Sequence, residues 1–141
     1  MYEINRRNPL CRWLKEEDYI QNAVMNYIES KYKIQAIPCN TESGKTPFEQ
    51  LKFKVMGGRT GILDLFVPVA KGGYHGLFLE LKKEGAKVFK KNGDVIADKT
   101  IKGQYEQILI HRSNGYMAEF GIGLDDSTRI VDEYFNLKLK T

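Results

Sequence analysis

Two short apolar runs, ILDLFVPV at residues 62–69 and HGLFLELK at 75–82, each carry a single acid, Asp64 and Glu80. Their length, their composition and the glycine-rich connector AKGGY between them predict a β-hairpin. An ionised carboxylate inside a buried strand is costly unless something compensates it, so the two acids restrict the registers open to that hairpin. Side chains alternate along a strand, which sets Glu80 and Lys82 on one face and Leu79 and Leu81 on the other. Asp64 likewise shares a face with Phe66, opposite Leu63, Leu65 and Val67. If Val69 pairs with His75, Asp64 falls directly opposite Glu80, with β-carbons roughly 5 Å apart. A slip of one residue throws the two acids onto opposite faces.

Most of the remaining chain reads as one domain, residues 16–141, preceded by a basic arm, residues 1–15, that holds Arg6, Arg7, Arg12 and Trp13. Tyr19, Ile20, Ala23, Val24, Tyr27 and Ile28 recur at helical spacing between about Glu16 and Lys31. The segment YKIQAIPCN predicts a short strand stopped by Pro38, and FEQLKFKVMGG is either a short helix or a strand ending at Gly57-Gly58. Asn92-Gly93 in KVFKKNGDVIAD carries the left-handed turn signal of a tight hairpin, made basic by Lys87, Lys90 and Lys91. Thr100 is the expected N-cap of a helix reaching about Asn114, with Gly115 as its stop. In YMAEFGIGL, Tyr116, Ala118, Phe120, Ile122 and Leu124 alternate as one strand face. Asp126 or Ser127 then caps a last helix carrying Ile130, Val131, Tyr134 and Phe135. The order predicts an α/β (α+β) fold, a mixed central sheet flanked by helices with an inserted basic β-hairpin.

Two carboxylates that face each other repel unless they share a proton or a cation. A hard divalent ion such as Mg²⁺ suits oxygen ligands and retains several waters. With Lys82 beside it, the pair has the means to bind a phosphate and to activate water for attack on phosphorus. Lys82 is better placed to orient that water or neutralise developing charge than to bind metal. An acid followed two residues later by lysine is, taken alone, more often a salt bridge on a solvated face. The aspartate sixteen residues earlier, in a register able to meet Glu80, is what gives the chemical reading weight.

Together, GRTGILDLFV, YHGLFLELKK and IKGQYEQILIHRSNGYMAEFGIG resemble the VRR-NUC nucleases of the PD-(D/E)xK, restriction-endonuclease-like superfamily. The shared pattern is a glycine-led GxxD, an apolar run ending ExK, a glutamine on the next helix, then GY and a strand. The likeness extends from about Glu16 to Tyr134 and includes an acid before a glutamine on the first helix, Glu17 and Gln21. It implies that Asp64, Glu80 and the backbone carbonyl of Leu81 hold Mg²⁺ or Mn²⁺. Lys82 is then the catalytic lysine and Glu17 a further acid, pointing inward from the first helix. Gln104 is the helix glutamine facing the site, ahead of Gln107 and Tyr105, while His111, on the same helix face, is structural. The chain departs from the pattern at Leu63, where the superfamily's name has proline, and in the longer KKNGD segment between Lys82 and Gln104.

The net charge of +4 favours an anionic partner, and the resemblance makes that partner DNA. Expected phosphate contacts are Arg59, Lys83, Lys87, Lys90 and Lys91, with Lys45 and a mobile arm bearing Arg6, Arg7 and Arg12 as further candidates. No sequence-reading helix is recognisable, so structure-directed or weakly sequence-selective cleavage is expected, and the resemblance implies branched or junction DNA as the substrate. A homodimer follows from the resemblance alone, with Met25 and Phe48 as apolar surface candidates. The competing expectation is a non-catalytic nucleic-acid-binding module that keeps the nuclease fold. Two cysteines outside any CxxC motif read as free thiols, and two distant histidines disfavour a zinc site. Nothing points to an organic cofactor. No signal peptide or membrane span is legible, so a cytoplasmic protein of a bacterium or phage-infected cell is expected.

Overall fold

A computed structural model describes residues 2–39, 46–59 and 61–139. A 3₁₀ turn at Pro9–Trp13 precedes α1 (Glu16–Tyr32), β1 (Ile37–Pro38), α2 (Pro47–Val55), β2 (Leu65–Val67) and β3 (Leu77–Lys82). They are followed by α3 (Lys99–Ser113), β4 (Met117–Ile122) and α4 (Leu124–Phe135). The four strands form one sheet in sequence order. The β1–β2 and β2–β3 pairs are antiparallel, whereas β4, reached through α3, is parallel to β3.

Strand alternation divides the core between the two sheet faces. Leu65, Val67, Leu77, Leu79 and Leu81 pack on one side against Ile20, Val24 and Ile28 of α1 and Ile130, Val131 and Tyr134 of α4. On the other side Ala118 and Phe120 meet Ile101 and Ile108 of α3, together with Val88 and with Leu63, which precedes β2 and so does not share the side of Leu65 and Val67 that alternation predicted for it. The middle of β3 therefore has a helix layer on each side. A polar side chain projecting there must find its partners in the protein.

The hairpin adopts the register that brings the acids together. Leu65, Phe66 and Val67 pair with Leu79, Phe78 and Leu77, so the next position in the sequence of pairs sets Asp64 across from Glu80. β2 is shorter than the apolar run because the next N–H able to continue it, that of Val69, turns back onto the Val67 carbonyl at 3.0 Å, while the His75 N–H goes to Gly115. At the other end, the Asp64 carboxylate takes a β3 N–H that a backbone carbonyl would otherwise accept.

Several expected local features settle differently. FEQLKFKV is helical, begun by Pro47 and by Thr46, whose hydroxyl accepts the Glu49 N–H at 3.2 Å. Asp98, not Thr100, caps α3 by accepting the Ile101 N–H at 3.0 Å; the carboxylate two residues earlier in the chain is the stronger acceptor. α4 starts at Leu124 after Gly123, and Asp126 in its first turn accepts the Ile122 N–H while Ser127 donates back to the Gly123 carbonyl. The KKNGD segment holds a single bridge, Phe89 to Val95. Its turn closes with the Gly93 N–H on the Lys90 carbonyl, and only Gly93 of the Asn92-Gly93 pair is left-handed, at φ 90°. This is a three-residue bulged turn rather than a two-residue one. The basic arm is laid against α1: the side-chain amides of Asn22 and Asn26 both donate to the Tyr2 carbonyl, and the Tyr19 hydroxyl donates to that of Cys11.

Asp132 ties α1 to α4. Its carboxylate accepts hydrogen bonds from the Tyr27 and Tyr32 hydroxyls and from Lys31 Nζ, and Tyr32 stacks on Phe135 at 3.9 Å between centroids. Desolvation opposes ionisation of this carboxyl, but the bonds from Tyr27, Tyr32 and Lys31 outweigh it and hold the group below its usual range. Among the described residues, no helix is long and apolar enough to cross a membrane. Asp132→Ala leaves two hydroxyls and an ammonium without their shared acceptor. It is expected to lower the unfolding free energy by about 1–2 kcal/mol in a denaturant titration. Unchanged stability would show that the cluster contributes nothing.

Candidate functional site

Asp64 stands at the mouth of β2, held from both sides by backbone groups. Its Oδ2 accepts the Leu81 N–H at 2.7 Å, and its carbonyl accepts the Cys39 N–H at 2.8 Å. The N–H and C=O of one strand residue point to the same side, as the paired exchange of bonds in an antiparallel ladder requires. The Leu81 carbonyl therefore faces the edge occupied by Asp64, beyond the last paired residue of β2.

Glu80 lies across from Asp64 and is only 3% exposed. Its Oε1 accepts a 2.7 Å hydrogen bond from Gln104 Nε2 and lies 3.5 Å from Lys82 Nζ. Neither Glu80 Oε2 nor Gln104 Oε1, both buried, has a hydrogen-bond partner. Burial above all, and then the negative Asp64, raises the Glu80 carboxyl to about 8, with Lys82 opposing the shift in part. At neutral pH Glu80 consequently retains a proton in the metal-free protein, and as an acid it becomes a donor to Asp64. The oxygen without a donor is thus where a proton, or a cation in its place, relieves the pair.

Helical spacing delivers Gln104. Ile101, Gln104 and Ile108 form the buried face of α3, and Gln104 reaches Glu80 between two apolar neighbours. Gln107 and Tyr105 are half-buried to either side. His111 continues the same face and stacks on Phe78 with centroids 3.8 Å apart, its imidazole lowered by burial. It is a packing residue.

Four of the expected residues, Asp64, Glu80, Lys82 and Gln104, are brought together in this way. Glu17 is not. Residues 16–18 are all exposed, and the buried stripe of α1 begins only at Ile20. The helical spacing that predicted an inward Glu17 holds along the helix axis, but the first turn has no sheet against it. Among the described residues, no three acidic, histidine or cysteine side chains gather as a metal-binding group.

Arg59, Lys83, Lys87, Lys90 and Lys91 are all exposed, whereas Lys45 lies outside the described residues. Cys39 is the neighbour that pattern reading missed. Burial, and then the charge of Asp64, raises its thiol above the usual range. Its position directly after Pro38 at the end of β1 was the available signal, because β1 pairs with the strand that Asp64 introduces.

No protein-family profile matches the chain, and no curated protein matches it. Among solved structures, one described as a VRR_NUC domain protein is similar at 30% identity and a TM-score of 0.60. The match covers 89% of this chain and 94% of that one. Identity at that level over nearly all of both chains, on a mixed four-stranded sheet with helices on both faces, places this nuclease-type domain of restriction-endonuclease-like fold in the VRR-NUC family.

Proposed function

We propose that the chain is a metal-dependent endonuclease that hydrolyses DNA phosphodiester bonds, with Mg²⁺ or Mn²⁺ held by Asp64, Glu80 and the Leu81 carbonyl. The observation that carries this reading is the buried Glu80, one oxygen without a donor, beside a second carboxylate. An all-oxygen donor set with room for solvent ligands matches a hard divalent cation. When bound, such an ion supplies a water of lowered pKa and a positive charge for the phosphoryl oxygens.

The protein's own groups prepare that chemistry. Gln104 and Lys82 hold Glu80 through Oε1 and leave Oε2 for the cation. The Leu81 N–H fixes the rotamer of Asp64. Lys82, kept near Glu80 by strand alternation, orients the attacking water or offsets charge developing on phosphorus. Hydrolysis adds water across one P–O bond and leaves a phosphate monoester and a hydroxyl. Arg59, Lys83, Lys87, Lys90 and Lys91 supply the phosphate contacts that position the strand. Such contacts carry no base information, which fits selection of branched or junction DNA by shape. A homodimer presenting two sites suits cleavage of two strands.

Asp64→Ala and Glu80→Ala are expected to lower Mg²⁺- or Mn²⁺-dependent cleavage by about a hundredfold or more. Gln104→Ala is expected to lower it by about tenfold, as for a partner of a metal ligand. Wild-type protein inert on linear, branched and single-stranded DNA with either ion would exclude the enzyme. A calorimetric Mn²⁺ titration separates the two classes of function: binding lost in Asp64→Asn supports the metal site, and no binding by wild type favours a non-catalytic nucleic-acid-binding module.

Glu80 also sets a pH dependence. Between about pH 4.5 and 8 the unfolded carboxyl has released its proton and the folded one retains it. The folded state binds more protons there, so metal-free stability falls as pH rises through this window. Thermal unfolding is expected to show that fall, and Glu80→Gln is expected to flatten it. A wild-type profile as flat as that of the variant would refute the raised carboxyl. Metal must displace the same proton, so Mn²⁺ affinity is expected to rise with pH up to about 8.

A further inference from the structure

α2 presents its apolar side to solvent. Phe48, Leu51 and Val55 fall on one face of the helix and are 72%, 60% and 74% exposed, with Met56 following at 77%. Among the described residues α2 packs on no other helix or strand. Its opposite side carries the half-buried Phe53, against whose ring Gly58 closes so tightly that a β-carbon there would collide.

The roots of this excursion lie at the acidic pair. The chain departs after Cys39, whose N–H binds the Asp64 carbonyl, and returns through Gly61, which abuts Gly103 one residue before Gln104. Lys52 adjoins the apolar face four residues after Phe48, Lys54 follows in the last turn, and Arg59 lies on the return path. Between residues 46 and 59 the only acid is Glu49. A face that is apolar at its centre and cationic at its rim, on a segment whose two ends lie at the acidic pair, suits exposed bases on a charged backbone.

We propose that the outward face of α2, centred on Phe48, Leu51 and Val55, docks unpaired bases of the nucleic acid strand entering the acidic site. Phe48 stacks on a base, the aliphatic side chains cover its neighbours, and Lys52 contacts the adjoining phosphate. This rests on the nuclease reading and adds the element that distinguishes open from paired DNA.

The test compares fluorescence anisotropy of a blunt duplex with that of the same duplex carrying a single-stranded flap, in EDTA so that neither is cut. Phe48→Ser combined with Leu51→Ser is expected to weaken flap binding by about tenfold and duplex binding by less than about twofold. Because both positions are exposed, the variant should retain the wild-type melting temperature. Lys52→Ala is expected to weaken both substrates alike and to reduce the salt slope by about one. A double variant that keeps the wild-type flap preference overturns the proposal, as does a wild type with no such preference. A wild-type dimer that the double variant turns into a monomer also overturns it and assigns the face to a second copy. Wild type that binds neither DNA removes the nuclease reading as well, whereas equal binding of both removes this inference alone.

Discussion

The hydrogen bond from the Leu81 N–H to the Asp64 carboxylate is the constraint on which the site depends. It ends the β2–β3 ladder with a side chain where a backbone carbonyl would otherwise sit. That substitution keeps Asp64 at the edge of the sheet and aims it along the strand pair toward Glu80. A one-residue slip would lose this bond and also turn Leu65 and Val67 away from α1 and α4. Hydrophobic burial and site assembly therefore select the same register.

Glu80 shows what the sheet tolerates where polar side chains converge on it. It lies in the middle of a strand covered by helices on both faces, with two donors on one oxygen and none on the other. An apolar residue there would be easier to bury. The arrangement is preorganised: Gln104 reaches Glu80 from a helix fixed by Ile101 and Ile108, and Lys82 reaches it from the same strand. The apolar packing of α3 on the sheet thereby sets the position of a polar contact.

Much of this was legible in local pattern. The alternation of LFLELK already set Glu80 and Lys82 on one face, and the length of AKGGY allowed the register in which Asp64 meets Glu80. Gln104 was legible only through the resemblance; by itself it reads as a surface residue, and the packing of Ile101 and Ile108 is what turns it inward. Cap positions were less legible, because Asp98 competes with Thr100, and Gly123 with Asp126, only through the path the chain takes into each helix. Glu17 shows the limit of periodicity, which gives direction around a helix axis and not whether anything lies opposite. FEQLKFKV carries apolar residues compatible with either a helix or a strand; Thr46 and Pro47 start it as a helix, and it stands away from the sheet that would have made it a strand.

The sequence by itself determined the alternation, the pairing of acid with lysine, and the resemblance that links them to a nuclease-type domain, because these are properties of neighbouring residues. Only the tertiary structure decided which side chains share a site. Glu80 depends on Asp64 from another strand and Gln104 from a later helix, and the cost of burying its charge exists only once both sheet faces are covered. Exclusion of Glu17 and exposure of the apolar face of α2 were decided there too, since whether a side chain is covered depends on the elements packed around it.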